Sequence, residues 1–331
     1  MDKLKKESIL KIFSLNIREV LGQLPDNYFK DLQEIRLRMN SPLIIVYNNK
    51  EYFINQQGKL DNKINNTFIV TKKEIRETTE FISNYSLYAF EDDVKQGFIT
   101  IQGGHRVGLA GKVLVEDDVI KSIKSIAFIN VRISHEIIGC ANDVLPHLIE
   151  NNNFLHTLII SPPRCGKTTL IRDIVRQVSN GNRWLDGLTV GVVDERSEIG
   201  GCYNGVPQND LGIRTDVLDC CPKAEGMLML IRSMSPQVLA ADEIGSANDI
   251  RAIEYVMSSG CKLICTVHGQ SIEEIEQKPI LKELVKNYLF ERYVVLSNKN
   301  KIGEITEIYD NNRKPIIRDL INTNRTKEQI S

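Results

Sequence analysis

The chain has no surplus of either charge: 42 lysines and arginines stand against 43 aspartates and glutamates, for a formal net charge of -1. That balance excludes a whole-molecule field drawing the protein to nucleic acid or anionic lipid, and leaves only a local basic patch as a route to either. Long apolar runs are missing too. Nowhere do roughly 18 apolar residues follow one another, the length a membrane-crossing helix needs. The start MDKLKKESILKIF has neither the apolar stretch nor the small-residue cleavage site of a secretory leader, so the expected location is the cytosol. Proline is scarce, with 10 in 331 residues, and low complexity is confined to the short NNN at 151–153, which excludes a disordered or fibrous chain. The seven cysteines form an odd set without a CxxC pair, excluding a disulfide framework and a structural zinc. They are expected to be reduced and mostly buried, as free cysteine usually is.

What is present points to two domains, because 331 residues with 42% hydrophobic content exceed one ordinary core. Residues 3–20 place apolar side chains at helical spacing and predict one amphipathic helix. EIRLR (34–38) alternates as a strand, LIIVY (43–47) follows the turn MNSP, and Thr71 with Glu74 predicts a capping box for a helix through about Asn84. A second helical stretch ends at Gly97, and Phe98–Gln102, Arg106–Lys112 and Ala127–Arg132 read as further strands. This half, residues 1–136, is α+β. Over 137–312 short continuous apolar strands alternate with helices, the pattern of a buried parallel sheet: Thr157–Ile160, Thr189–Val193, Val238–Ala241 and Lys262–Val267. Tyr293–Leu296 and Glu304–Tyr309 suggest a closing hairpin, and 313–331 a loosely held tail.

Chemistry gathers where those strands end, the place where open α/β sheets bind ligands. From Ser161 to Thr168 the spacing S-x-x-x-x-G-K-T matches a phosphate-binding loop except at its first position, which is usually glycine. Such a loop needs converging backbone N–H groups, a glycine for close approach, a lysine for the β and γ oxygens and a hydroxyl for Mg²⁺. Gly166, Lys167 and Thr168 fit the last three, and Ser161, Pro162, Pro163, Arg164, Cys165 and Thr169 complete the candidate loop. If the first position needs φ > 0, Ser161 costs on the order of 1 kcal/mol. Cys165, beside a helix start, is either a thiol of lowered pKa or a small space-filler.

PQVLAADEIG (236–245) ends an apolar strand in Asp242 and Glu243, suited to hold the magnesium shell and to polarise an attacking water; helix capping is the alternative use. VVDERSEIGG (192–201) belongs to the same cleft, with Glu195 as a metal or water-positioning candidate and Arg196 as a charge partner. CTVHG (265–269) puts His268 where an imidazole can sense a γ-phosphate, whereas His105, His135, His147 and His156 have no ligand spacing. Phosphoryl transfer gains from an added arginine, and the first half offers Arg36, Arg38, Arg106 and Arg132. Arg232 ends its helix or reaches a neighbouring site.

The order of SPPRCGKTTLIRDI, GVVDERSEIGG, IRSMSPQVLAADEIG and TVHG, preceded by EIRLR, GFITIQGGHRVGLAGK and INVRIS, resembles the stage III sporulation protein AA family. That family is similar to the ATPases of type II and type IV secretion systems. The resemblance implies a RecA-like ATPase domain, with a twisted, mostly parallel sheet, after a smaller α+β domain. It implies ATP and Mg²⁺ as ligands, and a homo-hexameric ring at the cytoplasmic side of the mother-cell membrane around the forespore. There it would drive a channel built with integral membrane proteins of the stage III sporulation A complex. Residue by residue, it implies Lys167 and Thr168 as phosphate and magnesium ligands and Asp242 with Glu243 as the second acidic motif. Glu195 falls in the acidic box, His268 in the histidine box, and Arg106 and Arg132 match the arginines directed at a nucleotide. Ser161 replaces the first loop glycine, Asp-Glu stands where many secretion ATPases have Gly-Glu, and their metal-binding cysteine insertion is missing. The competing expectation is a nucleic-acid-associated phosphate-loop ATPase, which the balanced charge and lack of a basic, aromatic-rich strand set oppose.

Overall fold

The computed structural model describes residues 2–83, 97–287, 289–298 and 301–318. Contacts divide the chain into one compact unit of residues 1–135 with 201–204, and a second of 136–200 with residues from 205 onward. The helical stretch expected before Gly97 lies outside the described residues.

The first unit is a seven-stranded antiparallel sheet covered by helices. Its order is Leu60–Asp61, Lys50–Ile54, Ile44–Tyr47, Leu32–Arg38, Val119–Arg132, His105–Glu116 and Phe98–Ile101. On Leu32–Arg38, Ile35 and Leu37 are fully buried, while Arg36 faces the other way and bonds Glu34 at 2.7 Å and Glu51 at 3.0 Å, as a period of two requires. Thr71 and Glu74 form the expected capping box at the start of Lys72–Ile82. The expected single N-terminal helix is two, Asp2–Leu10 and Leu15–Gly22. The Arg18 guanidinium explains the break: it donates to the carbonyls of Leu10, Lys11 and Phe13 and so caps the first helix with a side chain.

The second unit is an eight-stranded sheet in the order Thr215–Asp219, Val190–Asp194, Val238–Ala241, Lys262–His268, Thr157–Ser161, Arg292–Ser297, Glu304–Asp310 and Pro315–Arg318. The strands from Thr215 to Ser297 pair parallel, and the last two add antiparallel. Alternate residues feed two cores. Ile159, Val192, Ala240 and Ile264 pack with Ile171, Ile174 and Val178 of helix Lys167–Asn180. Leu158, Ile160, Leu239 and Leu263 pack on the opposite face with Met227, Ile253 and Leu284. Burial on both faces is why these strands read as unbroken apolar runs. The Pro315–Arg318 strand lies within the stretch expected to be a loose tail, and Thr215–Asp219 was not expected at all.

Four carboxyl ends adjoin in this order: Val190–Asp194, Val238–Ala241, Lys262–His268 and Thr157–Ser161. The first of them ends in Asp194, 2% exposed, whose oxygens accept N–H bonds of 2.8 Å from Glu198 and from Gly200. Buried Arg172 secures the same loop, donating to the Ile199 and Glu198 carbonyls at 2.8 and 2.6 Å. Burial pushes the Asp194 carboxyl up to about 6, against the pull of those N–H groups and with help from the Asp219 charge. A folded-state pKa above the unfolded value means that the folded protein binds the proton more tightly, so stability is gained as pH falls through 6 and lost as it rises. The wild type should therefore gain on the order of 1 kcal/mol between pH 7 and pH 5 relative to Asp194→Asn. Denaturant unfolding of both proteins at the two pH values measures that difference.

Candidate functional site

The loop after Thr157–Ser161 turns through two prolines into helix Lys167–Asn180. Its left-handed positions are Arg164, at φ 61°, and Gly166, at φ 82°. Ser161 is the last strand residue, fully buried, its hydroxyl donating to the Pro162 carbonyl at 2.8 Å. It is not left-handed, so the serine carries no backbone penalty; the strain sits at exposed Arg164 instead. Cys165 is fully buried, its thiol directed to the Pro163 carbonyl at 3.6 Å. Pro163 is exposed and Pro162 half-buried, and the Thr169 carbonyl accepts from the Cys140 thiol at 3.5 Å.

At the helix start Lys167 is 7% exposed, and its ammonium bonds Glu243. One residue on, the Thr168 hydroxyl donates to Asp242 at 2.7 Å. Asp242 and Glu243 are chain neighbours, which on a strand would point to opposite faces. They serve one cleft because Glu243 is left-handed, with φ 55°. Thr266, fully buried on the adjoining strand, holds that turn: its hydroxyl donates to Asp242 and accepts the Glu243 N–H at 2.9 Å. The helix that follows is capped by Ser246 and Asp249, which leaves both acidic side chains out of capping.

Glu243 is the electrostatic centre. Besides Lys167 it receives Arg196 at 2.6 Å and His268 at 3.0 Å. Burial opposes its ionisation, yet the Lys167 hydrogen bond and the charges of Lys167, Arg196 and His268 together hold the carboxyl below its usual value. It is an anion at neutral pH. Glu195 lines the same cleft, with Arg196, Glu198, Asp242 and Glu243, and is paired to Lys223. Arg196, expected as a charge partner in this cleft, pairs with Glu243. Arg232 lies in the last turn of helix Lys223–Ser233.

Thr168 and Asp242 offer the hard oxygen donors that Mg²⁺ prefers, and Mg²⁺ takes few protein ligands beside substrate phosphates. Among the described residues no cluster of three or more histidine, cysteine, aspartate or glutamate side chains could hold a metal ion. Arg106 and Arg132 stand in the first unit on paired strands: Arg106 stacks on Phe98 at 4.1 Å and Arg132, 64% exposed, lies 3.8 Å from Glu34. Sequence reasoning missed Thr266, Lys223 and Arg172. A lone hydroxyl in the apolar run of KLICTVH was the signal for the first; the two cations carry none.

No helix among the described residues is long and apolar enough to cross a membrane. The family model described as "Sporulation stage III, protein AA" matches residues 3–316. Stage III sporulation protein AA of Bacillus subtilis (strain 168) is 39% identical over 302 residues, covering 91% of this chain and 94% of that protein. Among solved structures, the pilus retraction motor PilT, with bound ADP, has a TM-score of 0.56 at 12% identity over 97% of this chain and 86% of its own. The Legionella pneumophila ATPase DotB has a TM-score of 0.53 at 14% identity, over 82% of this chain and 74% of its own. At such identities the likeness shows the fold, the RecA-like α/β fold of secretion ATPases. With a family match across residues 3–316 and a relative covered almost from end to end, this chain belongs to the stage III sporulation protein AA family.

Proposed function

We propose that this chain binds and hydrolyses Mg-ATP, and that it does so as one subunit of a homo-hexameric ring motor. The observation that carries the reading is the pairing of Lys167 with Glu243 and of Thr168 with Asp242, across the ends of non-consecutive strands. Backbone N–H groups from Arg164 to Thr169 receive the phosphates at a helix start, and Lys167 takes the β and γ oxygens. Thr168 and Asp242 would hold Mg²⁺, which when bound neutralises charge on those oxygens. Glu243, anionic and turned by Thr266, orients the attacking water; its lowered pKa suits positioning more than proton uptake. His268 and Arg196 fix the carboxylate, and Glu195 with Lys223 shapes the far wall. Arg106 and Arg132 are the arginines supplied to a nucleotide from the first unit. The ring stands at the cytoplasmic face of the mother-cell membrane, with stage III sporulation A membrane proteins as partners; the family and the likeness to secretion ATPases support this part.

Mg-dependent ATP hydrolysis should rise in specific activity with protein concentration. Lys167→Ala should abolish it, and Glu243→Gln should lower kcat by at least about 100-fold while ATP still binds. Steady-state hydrolysis coupled to light scattering measures both properties, and a fully active monomer would contradict the ring. Thr266→Val, which keeps shape and removes the hydroxyl, should cost about tenfold in kcat/KM. An unchanged value would remove Thr266 from the site.

A further inference from the structure

The strands His105–Glu116 and Val119–Arg132 continue past the rest of their sheet as a two-stranded arm. Phe98–Ile101 pairs with residues 105–108 only, and Leu32–Arg38 reaches no further along its neighbour than Phe128. Among the described residues, no strand pairs with either outer edge of the arm from Gly111 to Ile126.

The two edges are unlike. Register shifts at Ala110/Gly111, Lys112/Val113 and Leu114/Val115 leave Ala127, Lys124 and Lys121 as extra residues on the second strand. Bulges and exposed lysines are how proteins blunt an edge against pairing. The first strand has no extra residue over the same length. It presents Val113, Leu114 and Val115 in succession, 42%, 41% and 51% exposed, bracketed by exposed Lys112 and Glu116. An edge without bulge residues and with an apolar centre invites another strand.

The segment Lys-Val-Leu-Val-Glu is complementary to itself. Laid antiparallel against a copy of itself with Leu114 opposite Leu114, Lys112 falls opposite Glu116 twice, and Val113 falls opposite Val115 twice. Every opposed pair is then apolar with apolar or cation with anion, the pairings that stabilise a ladder. Lys112, Leu114 and Glu116 share one face and the valines the other. Shifting the register by two residues sets Lys112 opposite Leu114 in one direction, and in the other opposite Asp118, which lies in the turn beyond the strand.

We propose that residues 112–116 form a self-association edge, pairing antiparallel with the same segment of a second copy of this chain about a two-fold axis through Leu114. The contact is isologous and closes at two copies, so it differs from the head-to-tail contacts of a ring. It uses no residue of the nucleotide cleft, and it stands whether or not the protein hydrolyses ATP.

The test uses the full chain. Lys112→Glu and Glu116→Lys each place like charges opposite one another twice, and each should weaken self-association on the order of tenfold in analytical ultracentrifugation. The double exchange, Lys112→Glu with Glu116→Lys, should restore it. Independently, Leu114→Cys should form a disulfide between two copies under mild oxidation, since opposed strand residues lie within disulfide range. Lys112→Cys should not, and peptide mapping separates the product from any disulfide at exposed Cys220. A double exchange that fails to restore association, association unmoved by either single reversal, or no crosslink at Leu114 would overturn the proposal.

Discussion

A lysine and a glutamate that face each other across two strand ends organise the second unit. Lys167 stands on the first turn of its helix, where the unpaired N–H groups already favour an anion. Glu243 closes the next strand but one and draws in Arg196 and His268 as well. Placing a buried ammonium and a mostly buried carboxylate side by side is tolerable only because they pair, and removing either would strand the other. The sheet therefore has to deliver both ends at one height. It does so through registers that set Ser161 beside His268 and Ala241 beside Cys265.

The same constraint explains the strained backbone. Asp242 and Glu243 can share a cleft only if the chain reverses its pleat between them, and a left-handed glutamate achieves this. Such a conformation persists only where its surroundings over-determine it. Thr266 supplies that, by gripping the side chain of one residue and the N–H of the other. Asp194 and Arg172 play a comparable part on the neighbouring loop, where they tie down residues 198–200.

The sequence was most legible where burial was two-sided. Val238–Ala241 and Lys262–His268 are buried along nearly their whole length, so their apolar runs could not be mistaken. Thr215–Asp219 is an edge strand, half-buried throughout, and only Val217 and Leu218 of its five residues are apolar, which leaves neither an apolar run nor an alternation to read. Pro315–Arg318 begins with a proline, which an edge strand accepts and a central one does not. The N-terminal helix read as continuous because Ile9, Phe13 and Ile17 keep helical spacing and are all buried; the break depends on Arg18, whose reach no periodicity reveals. In the site, the strand-end acids and the loop were plain from spacing. Thr266 and Lys223 were not, because their roles arise only when separate strands and helices are brought together. The serine at the head of the loop drew attention to Ser161, while the unusual backbone lay three residues on, at Arg164.

The claim on which this account rests is that Lys167, Thr168, Asp242 and Glu243 make a single Mg-triphosphate site. Calorimetric titration of ATP with and without magnesium, into wild type, Lys167→Ala and Asp242→Asn, tests it most directly. Wild type should bind ATP more tightly with magnesium, Lys167→Ala should show no measurable binding, and Asp242→Asn should show a much smaller magnesium effect. A wild type that takes up no ATP, or binding that all three proteins share equally, would contradict it.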